Sequence, residues 1–253
     1  MSKRNLKDFV KAVGLSKSVQ EECRIIEDEL RVISLSEGTV FEQETLMKVF
    51  FMNMMSFCGY PCHNLGIECI ASRQLPLKRM GYLLITNFTS PKEPIRMMVV
   101  NSLLGDLKLA ETARVHCALH GVSYLIAQET LPIFIQAIRD LLVSSAPPVR
   151  RLAVGVIQKA HAEGITFEKE EFAKTILSIV CDRDPSVMAA SLPFILELVS
   201  KKAKIFDNFN FASCLVYILK QIIDGKLSPS FNFYTIPAPW TQVFSNKYDS
   251  LSN

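Results

Sequence analysis

The stretch Cys181–Leu198, CDRDPSVMAASLPFILEL, decides the fold. It reads as the end of one helix, a tight Asp-Pro turn and the start of the next, and the chain repeats this unit. Four segments fall into one register: LKRMGYLLI from Leu77, RVHCALHGV from Arg114, VRRLAVGVI from Val149 and VMAASLPFI from Val187, with starts 37, 35 and 38 residues apart. The fifth position is small in each (Gly81, Ala118, Ala153, Ser191), which lets a neighbouring backbone approach closely. The sixth is apolar or aromatic (Tyr82, Leu119, Val154, Leu192) and the ninth aliphatic (Ile85, Val122, Ile157, Ile195). Apolar residues at this spacing line the face a helix buries against another helix. Recurrence at such a period indicates stacked helix pairs, an all-α solenoid of HEAT or armadillo type.

Outward from this repeat, the chain reads as helices almost throughout. Helices are expected over 3–34 (two, broken at Gly14–Ser18, with Ser18 capping and Glu21 three residues on), 41–57, 65–72, from Pro76 and over 95–107. Further helices are expected over 112–126, 129–143, 148–162, 168–181, 185–202 and 208–223. The helix 41–57 is expected to be buried on most sides, with its several Met, and to end at a Gly59 C-cap in GYPCH. No window keeps a convincing period of two. Residues 1–224 therefore read as an α-solenoid. Residues 225–253 read as an extended Pro- and aromatic-rich segment with a frayed polar end, because LSPSFNFYTIPAPWTQVF cannot form a helix interior. The last solenoid helix is more apolar than one buried face needs, so the segment 231–244 is expected to fold back over it as a partial cap.

Composition narrows function. The chain has 253 residues, 49% of them apolar, with 28 Lys plus Arg against 25 Asp plus Glu. A net charge of +3 is too small for a general nucleic-acid binder. Seven cysteines with no framework spacing suggest reduced thiols in a cytosolic protein. The opening residues do not form a secretory signal, and the strongest apolar run, from Val49 to Cys58, is far shorter than the roughly 20 residues that span a bilayer, so a soluble chain is expected.

Chemistry-bearing motifs are sparse. Cys58, Cys62, His63 and Cys69 cluster without CxxC spacing, and His116 and His120 lie one helical turn apart without a matching acidic or Cys ligand. Neither set is assigned as a metal site, no cofactor is expected, and no phosphate loop, HExxH or GxSxG motif occurs, so no enzyme is expected. The basic residues are more informative. Lys3, Arg4, Lys7, Lys11 and Lys17 crowd the N-terminus, where attraction to anionic lipid competes with simple solvation. Arg150 and Arg151 read as ties between neighbouring turns.

Several stretches together resemble the N-terminal trunk of the large adaptins, the helical-solenoid subunits of vesicle-coat adaptor complexes. They are SVQEECRIIEDEL (18–30), GYPCH (59–63), LKRMGYLLI (77–85), VNSLLGDL (100–107) and PAPWTQ (237–242). CDRDPSVMAASL, ILKQIIDGKL and FNFYTIPAPWTQ are most similar to the epsilon type of the fourth adaptor complex, with the gamma type next. The resemblance covers nearly the whole chain, although 70–78 is about three residues shorter than in family members and the chain stops before the rest of the trunk, the hinge and the appendage.

The resemblance implies a non-enzymatic scaffold in vesicle-mediated transport. Its place would be in the cytoplasm, peripheral on trans-Golgi or endosomal membranes. Its partners would be a small sigma-type subunit and the other subunits of a heterotetramer, with anionic membrane beneath. It further implies docking of an Arf-family GTPase at the matching aliphatics Ile67, Ile70 and Met98. Gly14 stands where gamma-type adaptins have a basic residue attracting acidic dileucine cargo, which implies weak or altered use of that signal. A generic helical-repeat scaffold, of transport-receptor or phosphatase type, shares the period without GYPCH or PAPWTQ.

Overall fold

The computed structural model describes residues 4–35, 43–57, 62–89, 94–165, 178–200 and 211–252. Most of the expected helix 168–181 and part of GYPCH lie outside these residues. Twelve α-helices have bounds within them: α1 Leu6–Gly14, α2 Val19–Leu35, α3 Gln43–Met54, α4 Cys62–Ala71, α5 Leu75–Phe88, α6 Ile95–Leu107, α7 Thr112–Leu125, α8 Leu131–Leu142, α9 Pro147–Ala162, α10 Pro185–Ser200, α11 Phe211–Ile223 and α12 Pro239–Ser252. Residues 178–180 are also helical. The only extended pairing among the described residues is one isolated bridge, Phe233 with Ile236. The chain is all α, and it divides into two compact units, Met1–Asp106 and Leu107–Asn253.

In the first unit, α1 packs on α2 and α3, α3 on α5, and α4 on α5. Phe9, Ile26, Leu46, Val49, Met52 and Leu84 form the centre of its core, with Phe9 set edge-on to Phe51 at 5.8 Å. The capping expected at Ser18 is present: the Glu21 N–H donates to Ser18 Oγ at 3.2 Å, and the Lys17 N–H donates to Glu21 Oε2 at 2.9 Å. Helix α1 begins at Asn5, whose Oδ1 accepts from Asp8 N–H at 2.8 Å, while Glu44 of α3 accepts from Leu6 N–H. Two otherwise orphaned donors are thereby satisfied.

One expectation here is corrected. Helix α3 ends at Met54 rather than at Gly59. Ser56 takes the left-handed conformation (φ 63°), and Phe57 N–H reaches back to Met52 C=O at 3.1 Å, so the chain turns out three residues before the glycine. Met54 and Met55 at this exit are exposed, while every residue of α3 from Glu44 to Asn53 is buried or half-buried, so the helix is covered on most sides as expected.

The tightest approach in the unit is between α4 and α5. A methyl group on Gly81 would lie 2.7 Å from Gly66 O and 2.7 Å from Ile70 N, which are backbone atoms that cannot step aside. Only glycine fits. The connection from Ala71 to Leu75 is short, and Pro76 in the first turn of α5 lets it begin at once.

In the second unit the register segments on α7, α9 and α10 pack on one another in order, α7 on α9 and α9 on α10. Ala118, Ala153 and Ser191 are all buried, as are Leu119, Val154 and Leu192 and the ninth-position Val122, Ile157 and Ile195. The Asp-Pro turn before α10 is stitched to α9. Arg150 donates to both carboxylate oxygens of Asp182 at 2.7 Å each and to Ser144 O at 2.7 Å. Asp182 Oδ1 also accepts from Asp184 N–H at 2.8 Å, and Asp184 Oδ1 caps α10 by accepting from Ser186 N–H at 2.8 Å. Arg150 thus ties the turns as expected, whereas Arg151 is exposed.

The C-terminal region departs from the sequence reading. Residues 239–252, expected to be extended and then frayed, form α12, because Pro239 at its start needs no N–H partner and Gln242 N–H bonds Ala238 O at 3.1 Å. Helix α12 packs on α10 and α11. It does so through Ala238, Thr241 and Ser245, all buried, rather than through the expected aromatics: Tyr234 is 88% exposed and Trp240 68%. Helix α11 buries Leu215, Ile218 and Ile222 and leaves Val216, Tyr217 and Ile223 exposed. A second departure is a disulfide between Cys181 and Cys214, where seven reduced thiols were expected. The two cysteines are 33 residues apart in sequence, so only the tertiary fold brings them together.

Gly81→Ala should lower stability by about 1–3 kcal/mol in urea unfolding, because the added methyl meets backbone. Gly105→Ala on α6, whose Cβ would meet nothing within 4 Å, should raise it by about 0.5–1 kcal/mol. The hydrogen bond from the Ser186 side chain, with backbone bonds from Ser186 and Val187, holds the Asp184 carboxyl below its ordinary value. A depressed folded-state value adds stability above roughly pH 4, and that part is lost as pH falls through it. Asp184→Ala should therefore cost about 1 kcal/mol at pH 7 and flatten the acid limb of a stability-versus-pH curve. Asp184→Asn should flatten the limb while keeping most of the cap.

Candidate partner-binding surface

The charged residues sort into those that hold helices together and those that remain open. Lys48 of α3 is buried; its Nζ donates to Glu29 of α2 at 2.7 Å and to Arg4 C=O, so one cation fastens α2, α3 and the entry to α1. Lys78 of α5 donates to both oxygens of Asp106 on α6 at 2.7 Å, and Tyr82 Oη donates to Asp106 at 2.6 Å. A charge this far from water persists only when paired and hydrogen-bonded. Lys78, one of the basic residues at helix starts, is therefore committed to the interior. In the second unit, hydrogen bonding to Asp182 raises the Arg150 value further above its ordinary one.

Several of the exposed cations gather at the N-terminus. Lys3 lies outside the described residues. Arg4, Lys7 and Lys11 are exposed and spaced three and four residues apart, which places Lys7 and Lys11 on one face of α1, with Arg4 just before its cap. Lys17 is exposed in the turn that follows, beside exposed Leu15 and Val19. Gly14 ends α1 between them, and a Cβ added there would meet nothing within 4 Å. The surface is cationic with an apolar edge.

The three aliphatic positions do not share one environment. Ile70 is 2% exposed and packs against Gly81, so it is a core residue and the expectation that it faces a partner is corrected: the α4–α5 approach needs its side chain inside. Ile67 is half-buried on α4. Met98 on α6 is 64% exposed, and its neighbour Met97, which the sequence reading passed over, is 52% exposed. The run Met97–Val100 on α6 is apolar at four consecutive positions, so its spacing does not separate an outer face from an inner one.

The described members of the cysteine and histidine clusters have separate surroundings. Burial pushes the Cys69 thiol up to about 11, with the Glu68 charge adding to it, so the free thiol stays protonated at neutral pH. His63 Nε2 lies 3.2 Å from Phe88 O, and the rings of His116 and His120 stack edge to face at 5.1 Å. The side chains of Cys58 and Cys62 lie outside the described residues. Among the described residues no three His, Cys, Asp or Glu side chains are grouped to hold an ion, and no helix is long and apolar enough to cross a membrane.

Alternate helices stacked through one register of small residues define the class: an all-α repeat protein of solenoid type. Residues 17–245 match the adaptin N terminal region, and the chain belongs to that family. It is 27% identical over 244 residues to the AP-4 complex subunit epsilon of Arabidopsis thaliana, covering 93% of this chain and 25% of that protein. It is 28% identical over 246 residues to the AP-4 complex subunit epsilon-1 of Homo sapiens (94% and 21%), and 25% identical over 251 residues to the AP-1 complex subunit gamma-2 of Arabidopsis thaliana (94% and 28%). The chain thus spans about a quarter of the length of these relatives. Among solved structures, a designed armadillo repeat protein superposes with a TM-score of 0.45 at 14% identity, covering 98% of this chain and 100% of that one.

Ile70→Asp should unfold the first unit or cost more than about 4 kcal/mol, since it buries an unpaired charge. Met98→Asp should change the urea midpoint by less than about 0.5 kcal/mol equivalent, since it stays in water.

Proposed function

We propose that this chain is a scaffold subunit of an adaptor protein complex, binding partner proteins rather than transforming a substrate, and acting in vesicle-mediated transport at trans-Golgi or endosomal membranes. The observation that carries this reading is the match to the adaptin N terminal region over residues 17–245, with AP-4 epsilon subunits among the most similar relatives. In this reading a small sigma-type subunit and the other subunits of a heterotetramer cover part of the helical surface. The exposed cations Arg4, Lys7, Lys11 and Lys17 draw the chain to anionic lipid, each near the surface worth about 1 kcal/mol. An Arf-family GTPase docks on Met98 and the outer edge of Ile67; Ile70 plays no part. Acidic dileucine signals are held weakly, because Gly14 offers no charge.

Co-expression with candidate sigma-type subunits tests the scaffold reading: one of them should co-purify in equal amounts, and recovery of the chain alone in every pairing would overturn it. The surface assignments are tested on the same complex. Lys7→Glu with Lys11→Glu should lower sedimentation with vesicles containing phosphatidylserine by at least tenfold, and Met98→Asp should abolish capture by a GTP-locked Arf-family GTPase while leaving the melting temperature unchanged. Gly14→Lys, which the open space permits, should strengthen binding of an acidic dileucine peptide.

A further inference from the structure

The Cys181–Cys214 disulfide joins two sites with different mechanical roles. Cys181 sits in the turn before α10, where the flanking backbone is held by the Arg150–Asp182 pair and the Asp184 cap. Cys214 lies on α11, oriented by the burial of Leu215, Ile218 and Ile222 beside it. Helix α11 otherwise rests on α12, and α12 on α10, with small contacts at Thr241 and Ser245 and large exposed side chains at Val216, Tyr217, Ile223, Trp240 and Val243. The disulfide gives α11 a direct covalent attachment to the stitched turn.

Three features mark this bond as reversible. Cys181 is exposed and Cys214 only half-buried, so small thiols reach the sulfurs. The Cα atoms stand 6.3 Å apart, inside the range that disulfides span, so the two thiols stay within reach when the bond is open. Cys69, by contrast, is buried, and burial keeps its thiol protonated, so it competes poorly for a small disulfide.

We propose that Cys181 and Cys214 form a reversible thiol–disulfide site whose co-substrate is a low-molecular-weight disulfide such as oxidised glutathione, and that its state sets how firmly α11 and α12 are held on the second unit. In the closing direction the Cys181 thiolate attacks one sulfur of the small disulfide, breaking its S–S bond, forming a mixed disulfide and releasing one small thiol. The Cys214 thiolate then attacks the Cys181 sulfur, forms the intramolecular bond and displaces the second small thiol. Two protein thiols are oxidised, one small disulfide is reduced to two thiols, and those thiols carry away the two protons. Opening is the reverse reaction. Because the bond joins residues 33 apart in sequence, its loss restores unfolded-chain entropy and destabilises the end of the unit that it ties.

The test uses the full chain equilibrated over a series of reduced to oxidised glutathione ratios, quenched by alkylation and mapped by peptide mass. Cys181 and Cys214 should lose alkylation together as the ratio turns oxidising, while Cys23 stays alkylated. The oxidised protein should melt about 5–15 °C above the reduced one, with hydrogen exchange in 211–223 at least tenfold slower. Cys181→Ser should melt with the reduced protein and ignore the ratio. Should that variant misfold, Cys214→Ser provides the same comparison, and the wild-type mass map needs no variant. Alkylation of both cysteines at every ratio, a melting temperature that reductant moves by less than about 1 °C, or a Cys181→Ser protein that still responds to reductant would each overturn the proposal.

Discussion

Helices stacked two deep must bury apolar surface on two sides, and that requires backbones close enough for the layers to interlock. The limiting case is the contact of α5 with α4, where Gly81 lies against Gly66 O and Ile70 N with no room for a methyl group. The same register position in the second unit takes Ala118, Ala153 and Ser191, each fully interior. A small side chain suffices there because packing at that depth trades cavity against overlap, both of which cost kilocalories. Much of the rest follows: which face of each helix turns inward, which residues flank it, and which side chains are left outside.

Charge then fastens what apolar packing alone leaves free to slide. Dispersion and burial are nearly indifferent to a shift along a helix axis, whereas an ion pair is not. Lys48 with Glu29, Lys78 with Asp106 and Tyr82, and Arg150 with Asp182 each join elements distant in sequence at about 2.7 Å. Each pair takes one cation and one anion out of reach of a partner, and the basic surface at the N-terminus comes from the local run of Arg4, Lys7, Lys11 and Lys17. Where the family resemblance looked for contacts, the described residues Arg4, Lys7, Lys11, Lys17 and Met98 are exposed and Ile67 is half-buried.

The end of the second unit is built differently. Among the described side chains at this end Ala238, Thr241 and Ser245 are buried, while Trp240 and Val243 face outward. A covalent link from α11 to the turn before α10 matters most at such a place.

The sequence by itself determined the class and the repeat. Helical periodicity, small residues recurring every 35–38 positions and the prolines at helix starts are local signals, since propensity and spacing act within a few turns. Arg150 as a tie was legible for the same reason, standing at a repeat start. Four things were not: the burial of Ile70, the early exit of α3 at Ser56, the helix formed by 239–252 and the pairing of Cys181 with Cys214. Each depends on what another helix presents across space. An isoleucine is apolar whether it meets a partner or Gly81, a polar stretch becomes helix once α10 and α11 receive it, and two cysteines 33 residues apart pair only where packing sets their Cα atoms 6.3 Å from each other.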